Sequence, residues 1–126
     1  MTVLEEARLH LTKAREFLEA ADASRHLGLD NAATSDAVIS AINSKDAICL
    51  ALTGRTGKSD NHAQAVDDLK RSGPVGAELA PTLSRLLNIK TRSQYASRSV
   101  SAADAGKAVE WASRMQATAE GAVRDR

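Results

Sequence analysis

Apolar residues recur along the N-terminal part of the chain at alternating spacings of three and four: Leu4, Ala7, Leu11, Ala14, Leu18 and Ala21. That period lines one face of an α-helix, and Glu5, Arg8, Lys13 and Glu16 fall mainly outside it. Gly28, which takes a left-handed backbone at little cost, is the expected stop. A second helix is expected from Asp30 or Asn31, either of which can cap it, through Ala33, Ala37, Ala41 and Ala51 to Thr53, where Gly54 breaks it. It is long and mostly apolar, as a central helix would be. Ile39, Ile42, Cys49 and Thr53 form one stripe with Asp46 among them, and Val38, Ala41, Ile48 and Leu52 form the next with Lys45 among them. A carboxylate placed like Asp46 is partly desolvated unless it finds a donor. It either pairs with Lys45 or Arg55 and specifies packing, or it serves a site.

Residues 54 to 61 read as a loop of Gly, Arg, Thr, Lys, Ser, Asp and Asn. Ser59 or Asp60 is the expected cap of a short third helix, whose buried face carries His62, Val66 and Leu69. Arg71-Ser72-Gly73-Pro74 is a break, because proline restricts the residue before it and glycine ends a helix. Pro81 suits the first turn of a fourth helix bearing Leu83, Leu86, Leu87 and Ile89. Lys90 to Val100 then reads as a loop with one aromatic, Tyr95. Ser101-Ala102-Ala103-Asp104 resembles a capping box and opens a fifth helix with Ala105, Ala108, Ala112, Met115, Ala119 and Ala122 on one face. Trp111 falls beside that seam and is expected to pack in the core or a dimer contact. The expectation is an all-α, antiparallel four- to five-helix bundle.

Composition narrows this picture. At 126 residues the chain is expected to be a single domain spanning residues 1–126, large enough for a real core. Alanine is abundant and aromatics are limited to Phe17, Tyr95 and Trp111, which favours close helix packing and argues against an extended base-stacking platform. A net charge of +1 leaves anion binding to local patches. One such patch exists: between Glu78 and Asp104 there is no acid, while Arg85, Lys90, Arg92 and Arg98 are all positive. The lone cysteine, Cys49, rules out an internal disulfide and fits a reducing compartment. Glu5 and Glu6 stand where a secretory signal needs basic residues, and no apolar run reaches the ~18 residues of a membrane span, so a cytoplasmic location and no membrane partner are expected.

Gly57-Lys58-Ser59 invites a phosphate-loop reading, but that motif needs a glycine where this chain has Leu52, and a preceding strand. His10, His26 and His62 are dispersed without the spacing of a bundle metal site, so neither metal nor other cofactor is expected. Arg55 followed by His62 is more suggestive. An arginine can bind a phosphate while a histidine moves a proton at an RNA 2′-hydroxyl, which would permit metal-independent cleavage.

The segments "GRTGKSDNHAQAVDDL", "LSRLLNIKTRSQY" and "VSAADAGKAVEWASRM", taken in this order after two helices, resemble the HEPN family of small helical proteins. The resemblance covers nearly the whole chain. It implies a helical bundle that forms homodimers, in a family divided between ribonuclease toxins and non-catalytic partners of nucleotidyltransferases. The ribonuclease branch carries an Arg, four to six residues and a His, matched here by Arg55, Thr56 and His62. The family's arginine shares or adjoins the histidine's helix, whereas Arg55 lies beyond Gly54. The tyrosine that follows the histidine by two in partner-modified toxins is Gln64 here. The first expectation is therefore a homodimeric accessory protein, of toxin-antitoxin type, for a nucleotide, RNA or a nucleotidyltransferase, binding through Asp46, Arg55, Lys58, His62, Lys90, Arg92 and Tyr95. The alternatives are an endoribonuclease using Arg55 and His62, and a structural dimer without ligand; in the accessory protein and the endoribonuclease alike, Asp46 is a candidate to orient His62 by accepting from its ring.

Overall fold

The computed structural model describes residues 1–57, 61–95 and 99–126, with residues 93–95 as backbone. Five helices make up the fold: α1 (Val3–His26), α2 (Asp30–Thr53), α3 (His62–Arg71), α4 (Pro74–Tyr95) and α5 (Ala102–Arg124). No helix among the described residues is long and apolar enough to cross a membrane.

The stripe of α1 is a core seam, with Ala7, Leu11, Ala14 and Ala21 buried and Leu4 and Leu18 packed against them. Thr2 caps it by accepting a hydrogen bond from the Glu5 N–H at 3.1 Å. The helix stops just before Gly28, which has φ 75°. Opposite this seam α2 presents Ala33, Ala37 and Ala41, all fully buried. Side chains this small let two backbones approach, and Ser40 donates to the Ala14 carbonyl across the gap at 2.7 Å. His10 meets Asn43 and Ala14 meets Ser40, so α1 and α2 are antiparallel. The contacts of Arg15 with Glu120 and of Arg25 with Gly106 set α1 antiparallel to α5 as well. Consequently α2 and α5 run in the same direction.

The second seam is on α5, where Ala105, Ala108, Ala112, Met115 and Ala119 are fully buried. Ser101 caps this helix, accepting from the Asp104 N–H at 3.0 Å as the capping-box pattern predicts. Bulk comes from α4, whose Leu79, Leu83, Leu86, Leu87 and Ile89 are buried against the alanine-faced helices. Burying a leucine contributes roughly 2 kcal/mol, well above the share of an alanine, so α4 supplies much of the apolar driving force.

Four boundaries differ from the sequence expectation. Neither Asp30 nor Asn31 caps α2: Leu29 holds the cap position without a side-chain hydrogen bond. Asn31 instead accepts from the Val100 N–H at 2.9 Å and donates to Ser99 Oγ at 3.3 Å, a distant use that local capping rules do not see. The cap of α3 is Asn61, which accepts from the Gln64 N–H at 3.2 Å; Ser59 and Asp60 lie outside the described residues. Helix α4 begins at Pro74, leaving Pro81 inside it. Pro81 is exposed, so the backbone bond it cannot make leaves a carbonyl near water. Finally, the segment read as a loop from Lys90 to Val100 continues α4 as far as Tyr95; the polar Lys90, Thr91 and Arg92 follow the buried Ile89, so no apolar period marks this turn as helical.

At the corner between α3 and α4, Gly73 has φ 132°. A Cβ on Gly76 would collide with Ser72 Oγ and the Leu69 carbonyl, so that close approach requires glycine.

Candidate functional site

Lys45 stands on the stripe with Val38, Ala41 and Ile48, and its side chain is 2 % exposed. A buried ammonium needs acceptors, and the surrounding chain supplies four. Its Nζ lies 3.1 Å from Asp46 Oδ1, 2.9 Å from Thr56 Oγ1, 3.3 Å from Asp68 Oδ2 and 3.5 Å from the Gly57 carbonyl. Thr56 Oγ1 in turn donates to Asp46 Oδ1 at 2.5 Å, and Gln64 Nε2 donates to Asp68 Oδ1 at 2.8 Å. Burial alone would raise the Asp68 carboxyl; the Gln64 hydrogen bond and the Lys45 charge outweigh it and hold Asp68 below the usual carboxylate range. A Cβ on Gly57 would strike the Asp68 carboxylate, so this glycine lets the loop close over the cluster.

His10 joins from α1. Its Nδ1 is 2.9 Å from Asn43 Oδ1 and 3.8 Å from Asp46 Oδ2. The cluster thus ties α1, α2, the loop after Gly54 and α3 to one point. Beside it the Cys49 thiol faces the Asp68 carbonyl at 3.6 Å, and burial pushes its pKa up to about 11, where a thiolate nucleophile is scarce at neutral pH.

Of the partners the sequence offered Asp46, Lys45 is the one it takes, and among the described residues no hydrogen bond or ion pair joins it to His62. Asp46 pairs with Lys45, and it is His10, from a helix no local spacing could bring in, that approaches its second oxygen. His62 opens α3 and is half-buried. Arg55 is exposed; its backbone N–H donates to Thr53 Oγ1 at 3.2 Å, and its carbonyl accepts from the same hydroxyl at 3.0 Å. Among the described residues no hydrogen bond joins Arg55, Asp46 and His62. Lys58 lies outside the described residues.

Arg55 edges a cleft of about 320 Å³ with Cys49, Thr53, Thr56, Gly57, Asp68 and Arg71. The Arg71 guanidinium is engaged by Asp67 at 3.1 Å. Residues from the C-terminal turns of both α2 and α3 line this space, so their dipoles and the Asp68 carboxylate oppose an anion there.

A second cleft, of about 440 Å³, runs between α4 and α5. Arg85, Asn88, Ile89 and Arg92 face it from one stripe of α4, and Asp104, Lys107 and Trp111 from one stripe of α5. Three cations and a single carboxylate therefore line it, and Arg92 Nη2 stands 4.0 Å from Asp104 Oδ2. Arg85 and Lys107 make no ion pair among the described residues. Ile89 is buried in the floor and Trp111 is partly exposed along the wall. The expected ligand set is thereby divided: Asp46, Arg55 and His62 belong to the loop end, whereas Arg92 lines the α4–α5 cleft and Lys90 lies on the same helix. The side chain of Tyr95 lies outside the described residues. Lys107 and Trp111 were not expected in a site. Their spacing of four, facing the part of α4 after Glu78 that carries no acid, is the signal that identifies them.

No family model matches the chain, and no curated protein matches it.

Proposed function

We propose that this chain is a non-enzymatic accessory protein of HEPN-like type that takes the phosphate groups of a nucleotide or RNA into the α4–α5 cleft. One observation carries the reading: Arg85, Arg92 and Lys107 line one cleft with a single carboxylate, Asp104, in a molecule whose net charge is only +1. Arginine forks match phosphate oxygens bidentately, and lysine adds a point charge. The ribonuclease alternative draws less support, because Asp46 is committed to Lys45 and does not orient His62. In this reading the protein acts as a homodimer in a reducing, cytoplasmic setting, with a nucleotidyltransferase as its protein partner in a module of toxin-antitoxin type, as the resemblance implies.

The test is a labelled single-stranded RNA incubated with the protein in chelator, followed by anisotropy and by gel. The expected result is bound, intact RNA, with binding weakened at least tenfold in Arg85→Ala/Arg92→Ala and unchanged in His62→Ala. RNA that is cut by the native chain and spared by His62→Ala overturns the proposal in favour of the nuclease.

A further inference from the structure

We infer that the α4–α5 cleft recognises an unpaired nucleobase as well as phosphate, with the base stacked on Trp111 and the phosphate held by Arg85, Arg92 and Lys107. This rests on the phosphate-binding reading of the same cleft and adds the part of the ligand that the cations do not account for.

The cleft is not uniformly polar. Its cations stand at the sides, while the indole of Trp111 and the buried Ile89 give it one apolar wall and floor. Inorganic phosphate or a sulfate would use only the cations and leave that indole face wet. A nucleotide uses both, because every base offers a flat π-face and carries its phosphate a short distance away; base-aromatic stacking contributes roughly 1–3 kcal/mol per base. Asn88 stands on the α4 side of the cleft with an amide that offers both donors and an acceptor, suited to a base edge. A volume of about 440 Å³ falls within the range of small-molecule sites and suits one nucleotide unit. A base inside a duplex has both faces covered by its neighbours, so the ligand is a free nucleotide or a single-stranded residue. The scarcity of aromatics excludes an extended platform and is consistent with a single stacking position.

Trp111 is the chain's one tryptophan, so fluorescence excited at wavelengths beyond the absorption of Tyr95 reports from this wall alone. The folded protein is titrated with uridine 5′-monophosphate, with a short oligo-uridine and with pyrophosphate. Both uridine ligands are expected to quench the emission saturably. Pyrophosphate is expected to compete without quenching, raising the apparent Kd of the nucleotide. Lys107→Ala and Arg85→Ala, both at exposed positions, each raise that Kd about tenfold, whereas Arg55→Ala leaves it unchanged. A quench by the oligomer but not the monophosphate assigns the site to RNA; equal Kd values assign it to free nucleotide. Uridine ligands that bind by thermal shift without altering the emission, and that bind Trp111→Leu as tightly as the native chain, overturn the stacking inference and leave the phosphate site standing. No binding by any of the three removes both.

Discussion

Lys45 is the residue on which the loop end depends. Its ammonium is nearly inaccessible and its acceptors come from α2, the loop and α3. Replacing it with methionine keeps the packing volume but leaves Asp46 and Asp68 facing each other without a cation. Removing one partner of a buried charge pair costs about 3–5 kcal/mol; Asp46 and Asp68 retain 13 % and 22 % exposure, which places Lys45→Met near 3 kcal/mol in denaturant unfolding. The pH profile carries a second signature. Because the folded-state pKa of Asp68 is lowered, its contribution is fully present above the unfolded value of about 4 and is lost as pH falls through the folded one. Lys45→Met is expected to flatten that acid-side slope, read as unfolding midpoint against pH. The sequence placed Asp46 within reach of Lys45, and this pairing forms. It could not reveal His10 or Asp68 as members, since both arrive through helix packing.

At the scale of elements, the periodic helices were legible and the polar boundaries were not. The alanine and leucine period located α1 and α5, and Gly54 stops α2 with φ 78°. The start of α4 was misplaced because Pro81 carries a strong first-turn signal, while Pro74, the true start, reads equally well as part of a break. Asn31 shows the same limit: a local cap by pattern, it serves as a long-range tie between α2 and the segment entering α5. Asn31→Ala is expected to cost about 1 kcal/mol, the usual worth of one hydrogen bond, and to speed hydrogen exchange at the Val100 amide while leaving the start of α2 unchanged. Equal acceleration at the first turn of α2 would assign Asn31 to capping after all.

For the whole molecule, near-neutral net charge conceals a separation of roles. The loop end buries Lys45 and neutralises it with Asp46 and Asp68; the α4–α5 cleft leaves Arg85 and Lys107 without ion-pair partners among the described residues. The acid-free run from Arg85 onward was visible in the sequence, but its partner Lys107 required the antiparallel packing of α4 on α5. The Arg55 and His62 pattern, the sharper motif by eye, is not brought together: Arg55 edges the cleft lined by the C-terminal turns of α2 and α3, whereas His62 stands at the N-terminus of α3 and does not line it. Phosphate neutralisation by the cleft is measured directly by counterion release. Each phosphate of a single strand that the protein ceases to neutralise reduces the slope of log Kobs against log salt by about 0.7. For single-stranded RNA, the variant Arg85→Gln/Arg92→Gln/Lys107→Gln is predicted to show a slope shallower than the native chain by about 2. An unchanged slope, with native affinity retained in the triple variant, would contradict the account.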